Sequence, residues 1–160
     1  SQIVFETLTS LVSQELVRQD HVYMNRVTDE SGAVTGVSVA GSKIGGDVRD
    51  SIVLFPDPMG ATGGSLSRAL ATYKDLPAGG SPKKLISMNL IITPEFIKRM
   101  KADHPEAVIY AIRLDRGMSA DEVLQAVPGQ RWDEERGLND IHYIVPGAGG
   151  LGEILNNSFV

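Results

Sequence analysis

At 160 residues the chain is long enough for one domain with a genuine core. A net charge of −5 with no basic cluster argues against a nucleic-acid surface, and the lack of cysteine excludes disulfides and thiolate chemistry. Three scattered histidines without a His-x-x-x-His pair argue against structural zinc. No apolar run of ~18 residues and no signal-peptide layout points to a membrane or to secretion, so a cytoplasmic protein is expected.

In chain order, apolar residues at Val4, Leu8, Leu11, Val12 and Leu16 predict a helix from Ile3 to Gln19. Ile3 and Phe5 widen its apolar face, which predicts cover from another element or a partner subunit, and hence a homodimer or higher homo-oligomer. Residues 21–40 alternate on either side of the turn signal Asp29-Glu30-Ser31-Gly32, which predicts a hairpin. Gly41 to Asp50 reads as a polar loop. Ile52-Val53-Leu54-Phe55 reads as a short strand buried on both faces. A helix is expected from Leu66 to Lys74, then a turn over Leu76–Lys83 and a second buried strand over Leu85–Ile92. Thr93 as N-cap and Pro94 at the first helical position start a helix to about Ala102, with Phe96, Ile97 and Met100 inward. Val108–Ile112 reads as a third buried strand. Strand–helix–strand–helix–strand with short connections predicts an α/β fold with a parallel sheet flanked by helices. Ser119 to Val127 then reads as a short capped helix ended by Pro128-Gly129, and Trp132 as cover for a core edge or an interface.

The stretch from Asp57 to Ser65 carries the chemistry. An acid follows the strand, and then Gly60-Ala61-Thr62-Gly63-Gly64-Ser65 leads into a helix. Small residues let several backbone N–H groups converge on a phosphate, and the helix N-terminus adds its positive dipole end. Thr62 and Ser65 add hydroxyls. Asp57 stands where ribose hydroxyls or, through water, a metal would be received. The loop lacks the lysine of the Walker sequence and the Gly-x-Gly-x-x-Gly spacing of the dinucleotide fingerprint. A strand-to-helix turn without a ligand is the plain alternative.

Asp57-Pro58-Met59-Gly60-Ala61-Thr62-Gly63-Gly64-Ser65 resembles the phosphoribosyl-pyrophosphate loop of type I phosphoribosyltransferases. It is most similar to that of uracil phosphoribosyltransferases, where leucine usually stands at Gly60. His142-Tyr143-Ile144-Val145-Pro146-Gly147-Ala148-Gly149-Gly150-Leu151-Gly152 resembles the same family's Tyr-Ile-Val-Pro-Gly segment, whose backbone meets the edge of uracil. The resemblance implies a type I phosphoribosyltransferase-like sheet with a β-hairpin hood. It also implies transfer of phosphoribosyl from phosphoribosyl pyrophosphate to uracil, with magnesium, giving UMP and pyrophosphate. It places residues 57–65 at the phosphate and ribose, and Tyr143, Ile144, Gly149, Gly150 and Leu151 at the base. No metal-ligating residue is assigned.

Tyr23-Met24-Asn25-Arg26-Val27-Thr28-Asp29-Glu30 resembles the family's Tyr-Arg-Asp-Glu segment with inserted residues, which puts Arg26 at the pyrophosphate; a solvated hairpin charge is the alternative for it. Glu135 to Asp140 resembles the Asp-x-x-Leu-Asn-Glu segment arriving late, so residues 116–134 read as an insertion. Gly150 stands where the family has aspartate, Glu153 replaces a second aspartate, and no pyrophosphate loop of the type Val-Pro-Ile-Leu-Arg-Ala-Gly is found. These departures keep two other readings open: a non-catalytic nucleotide-binding, regulatory or assembly domain, and a fragment of a bifunctional uridine kinase/uracil phosphoribosyltransferase.

Overall fold

The computed structural model describes residues 2–28, 34–74 and 80–149. In chain order these form α1 (Gln2–Leu11), β1 (His21–Thr28), β2 (Val34–Lys43), β3 (Ile52–Pro56), β4 (Met59–Gly60), α2 (Gly64–Lys74), β5 (Lys84–Ile92), α3 (Pro94–Asp103), β6 (Val108–Leu114) and α4 (Asp121–Gln125). Single 3-10 turns lie at Gln14–Leu16 and Trp132–Glu134. The expected turns at 29–32 and 76–83 fall wholly or partly outside the described residues.

Strand β5 is the centre of a parallel sheet. It pairs with β3 and β4 along one edge and with β6 along the other. Pro56 opposes Met88 and Met59 opposes Ile91, so β3 and β4 are one line of chain interrupted at Asp57-Pro58. Two crossovers of one hand, stepping the same way from β3 to β5 to β6, leave their helices on the same face. There Leu66 and Leu70 of α2 meet Leu85 and Ile92 of β5 and Phe96 and Met100 of α3. The Ser67 hydroxyl donates to Asp103 at 2.7 Å and ties the two helices together.

The opposite face corrects the expectation of three fully buried strands. Ile52, Met88, Leu90, Tyr110 and Ile112 are all exposed, Tyr110 at 62% and Ile112 at 81%. Parallel sheets are normally covered on both faces, and the described residues supply helices to one. The apolar runs are therefore real strands whose second face has no layer over it among the described residues.

Helix α1 is also shorter than its periodicity suggests. It stops at Leu11, and Val17 is already extended. Thr7, Thr9 and Ser10 turn their hydroxyls back onto carbonyls three or four residues earlier, which weakens a helix end. Val4, Phe5 and Leu8 are only half-buried and no residue of α1 is fully buried, so tertiary packing does little to prolong it.

The hairpin forms as expected and runs further. Gly41, Ser42 and Lys43 pair with Tyr23, Val22 and His21, taking β2 into the expected loop. Its root is pinned to the rest of the chain through Asp20. Arg18 binds Asp20 with two N–H groups, both at 2.9 Å, Gly45 N–H donates at 3.0 Å, and the Tyr73 hydroxyl of α2 donates at 3.1 Å.

Residues 115–137 fold around Arg116. Its guanidinium donates to the carbonyls of Val123, Leu124 and Ala126, closing the C-terminal end of α4, and pairs at 3.1 Å with Glu135, which is fully buried. Ser119 is not the helix cap; α4 starts after Ala120, because the Ser119 hydroxyl is engaged by the backbone of Arg136. Trp132 lies under the ammonium groups of Lys98 and Lys101, 5.3 and 5.6 Å from its ring centre, so it covers the polar side of α3.

Two expectations follow from these contacts. Burial raises the Asp20 pKa, but hydrogen bonds from Arg18, Gly45 and Tyr73 and the charge of Arg18 outweigh it and hold the carboxyl below its ordinary 3.8. Burial, then the charge of Asp20, pushes Tyr73 up to about 12 from 10.0. A lowered acid stabilises above its unfolded pKa and loses that contribution as pH falls through the folded one; a raised tyrosine loses its contribution as pH rises from 10 towards 12. Urea midpoints should therefore fall at both ends, and Asp20→Asn should flatten the acid arm. The open sheet face should bind a hydrophobic dye such as ANS. A Tyr110→Lys, Ile112→Glu double variant should lose that fluorescence with stability within about 0.5 kcal/mol of the parent; no dye binding by the parent would mean the face is covered in solution.

Candidate functional site

The end of β3 is built to hold an acid. Asp57 N–H donates to Met88 O at 3.0 Å, and Pro58, which has no N–H, offers its carbonyl to Leu90 and Ile91 at 3.1 Å. Beneath the loop, Asn89 donates to Asp57 O at 2.6 Å and receives the Ser87 hydroxyl at 2.7 Å. These two polar residues are buried in the middle of an otherwise apolar strand, where Asn89 supplies the donor that the Asp57 carbonyl meets at the interruption between β3 and β4. The Asp57 side chain accepts from Met59 N–H at 3.2 Å, an Asx turn that fixes the carboxylate over the loop.

The glycine loop is held from below by Thr93. Its N–H donates to Gly60 O at 3.2 Å, and its hydroxyl donates to Ala61 O at 2.6 Å. The same oxygen accepts Phe96 N–H at 3.0 Å and caps α3. Gly63 has φ +75°, a left-handed conformation that favours glycine, and lets the chain turn into α2. Gly64 N–H donates to the Thr62 hydroxyl at 3.3 Å. Ser65 and Leu66 follow in the first helical turn, where N–H groups have no intrahelical acceptor. Together with the dipole, that end is suited to an anion.

Gly60 explains itself sterically. It is buried, and a Cβ there would stand 2.8 Å from the Phe96 ring and 3.0 Å from Ile92 Cγ2. The space a leucine side chain would need is taken by Phe96.

The second wall comes from the far end of the chain. Asn139 organises residues 139–143: its side-chain oxygen accepts Ile141 N–H at 3.2 Å and Tyr143 N–H at 2.9 Å, and its N–H donates to Tyr143 O. Glu95, in the first turn of α3, receives Gly137 N–H at 3.0 Å and so docks this segment beside the glycine loop. His142 adopts φ +62° within the turn. After a cis Val145–Pro146 bond, Gly147 N–H donates to Asp115 at 2.8 Å.

One cleft unites the two motifs. The glycine loop from Asp57 to Leu66 forms one side, Phe96 contributes beneath, and Ile141, His142 and Tyr143 form the other. Of the expected phosphate residues, Asp57, Met59, Gly60, Ala61, Thr62, Gly63, Gly64 and Ser65 line it, whereas Pro58 does not. Of the expected base residues, Tyr143 lines it. Ile144 is drawn into a bridge with Leu138, and Gly149, at φ +61°, lies beyond the cleft. Gly150, Leu151 and Glu153 lie outside the described residues. Arg26 is in β1 opposite Val37, and its side chain is outside the described set. Ile141 lines the cleft without having been singled out, and His142 headed the quoted segment with no role assigned to it. Their signal was the Leu138-Asn139 pair, since an asparagine at a turn start predicts that the next residues fold back.

The cleft encloses about 50 Å³, well below the roughly 300–1,000 Å³ of small-molecule pockets. The described residues thus make an open cradle. Replacing Gly60 by leucine should displace Phe96 and cost about 1–3 kcal/mol in urea unfolding; an unchanged midpoint would show that the Phe96 ring yields freely.

The family model described as uracil phosphoribosyltransferase matches residues 11–130, a range that includes the glycine loop and stops short of residues 141–149. A uracil phosphoribosyltransferase of Acholeplasma laidlawii is 35% identical over 109 residues, covering 68% of this chain and 41% of that protein. One from Pyrobaculum islandicum is 33% identical over 124 residues, covering 78% and 48%. The chain thus spans less than half the length of these curated relatives. Among solved structures, the AQ2163 protein from Aquifex aeolicus superposes with a TM-score of 0.61 at 29% identity, over 85% of this chain and 51% of that one.

Proposed function

Since the chain belongs to the uracil phosphoribosyltransferase family, we propose that it provides the phosphoribosyl and base sites for transfer from phosphoribosyl pyrophosphate to uracil, a pyrimidine-salvage reaction giving UMP and pyrophosphate. The observation that carries this reading is the single cleft walled by the glycine loop and by Ile141–Tyr143. A phosphate at the α2 N-terminus and a base against the second wall would lie on opposite sides of a ribose beside Asp57.

The reaction breaks the bond from C1′ to the pyrophosphate oxygen and forms one from C1′ to uracil N1, which loses its proton. Its transition state resembles a ribosyl oxocarbenium ion, so catalysis is mostly positioning and charge stabilisation. In this reading the backbone of residues 60–65 and the Thr62 and Ser65 hydroxyls grip the 5′-phosphate, and Asp57 receives the ribose hydroxyls. Arg26, carried on the hairpin, closes on the pyrophosphate. Asp57 is the one carboxylate among the residues lining the cleft, and the described residues contain no cluster of three His, Cys, Asp or Glu groups. That donor set fits magnesium held by substrate phosphates and water with one or two carboxylates, the ion neutralising charge on the leaving pyrophosphate. The chain is read as a single domain in which residues 116–134 are an insertion. A cytoplasmic location and a homodimer or higher homo-oligomer belong to the same proposal; the exposed apolar side chains Ile3 and Leu11 of α1 support association. No helix among the described residues is long and apolar enough to cross a membrane.

The small enclosed volume favours a second reading, a domain that binds UMP or ribose phosphate without turnover. An assay with phosphoribosyl pyrophosphate, magnesium and uracil, beside calorimetry with UMP, separates the two. In the enzyme, Asp57→Asn keeps an acceptor for Met59 N–H and should lower kcat/KM about 10²-fold, and it should also weaken binding of ribose 5-phosphate, whose hydroxyls Asp57 receives. Undiminished UMP synthesis by this variant would remove Asp57 from its role.

A further inference from the structure

The turn that forms the second wall of the cleft carries a side chain on an uncommon backbone. His142 has φ +62°, in the left-handed region. Few residues other than glycine enter that region, and asparagine, aspartate and histidine do so most readily. Hydrogen bonds on both sides fix the conformation. His142 N–H donates to Asn139 O at 2.9 Å and Asn139 N–H to Tyr143 O at 3.0 Å, while the Asn139 side chain holds the N–H groups of Ile141 and Tyr143. None of these bonds uses the imidazole. Glycine would make the same turn without the steric cost, so the turn itself does not call for histidine.

The surroundings supply a use for the ring. His142 is exposed and lines the cleft across from the glycine loop. Among the described residues lining that cleft there is no lysine or arginine, and His142 is the one whose side chain can carry positive charge. The loop opposite offers an anion N–H groups and the positive end of α2, which are partial charges only. A full charge on the facing wall adds a charge-assisted hydrogen bond, roughly twice as strong as a neutral one. The cleft is narrow, at about 50 Å³, so an anion seated on the loop lies against that wall.

We propose that His142 is a phosphate-binding residue: its imidazolium completes, from the second wall, the anion site that the glycine loop begins, and the left-handed turn presents it. The proposal rests on the proposed function for a phosphate at the loop. The titratable groups around His142 are Asp57 on the facing loop and Asp140 and Tyr143 on its own turn, while α3 contributes Phe96 to the cleft. The contribution of His142 is present while the ring is protonated and fades as pH rises through roughly 5 to 8.

Calorimetry with ribose 5-phosphate on the parent, His142→Asn and His142→Gly tests this. Both replacements accept a left-handed backbone and neither carries charge. At about pH 6 each should bind ribose 5-phosphate roughly tenfold more weakly than the parent, and at about pH 8.5 within about twofold of it. Ionisation of the ester and of Asp57 is common to the three proteins, so the ratio of affinities reports on position 142. The urea midpoint of His142→Gly should be no lower than the parent's. Equal affinities at about pH 6 overturn the role of His142 and leave the glycine loop as the phosphate site. A tenfold loss that persists at about pH 8.5 overturns the part played by charge, and a lower midpoint in His142→Gly means that the imidazole serves the turn instead. If the parent binds no ribose 5-phosphate at either pH, the cleft is not a phosphate site and the proposed function falls together with this inference.

Discussion

The buried hydroxyl of Thr93 is the point on which the site depends. Through one oxygen it ends β5, starts α3 and holds the floor of the glycine loop, donating to Ala61 O while accepting from Phe96 N–H. Two residues later Glu95 receives the N–H of Gly137 and brings in the far end of the chain. Both walls of the cleft therefore hang from the first turn of a single helix. A displacement of α3 would move them together, and the cleft would keep its internal geometry.

The sheet shows how polar and apolar demands divide one strand. On the face under α2 and α3, β5 places Leu85 in the core and then Ser87 and Asn89, which are buried to serve the break between β3 and β4 at Asp57. On the other face Met88 and Leu90 are apolar and exposed. The first departure from a hydrophobic pattern is satisfied by hydrogen bonds. The second leaves apolar area in water, at roughly 25 cal/mol for each Å² that a covering layer would remove. The described residues thus set a hydrogen-bonded glycine loop at the end of a sheet with one face open.

Much of this was legible because local rules and tertiary needs coincide. Thr93-Pro94 gave the start of α3, and the loop from Gly60 to Ser65 lines the cleft with Asp57, as its small residues suggest. Periodicity misled where packing decides. The apolar spacing through Leu16 does not prolong α1, whose Thr and Ser hydroxyls compete for its own carbonyls and none of whose residues is fully buried. Ser119 has the chemistry of a cap, yet the backbone of Arg136 claims it first.

The order of strands and helices, the parallel sheet, the acid after β3 and the glycine loop were determined by the sequence itself, because period, capping and backbone permissiveness act over a few residues. Only the tertiary structure decided that Ile141–Tyr143 face the glycine loop, that Phe96 fills the space beside Gly60, and that Arg113 and Asp115 both hold Gly147. Those contacts join residues more than thirty positions apart. Such pairings are set by how the sheet stacks its helices and loops, and no local pattern encodes them.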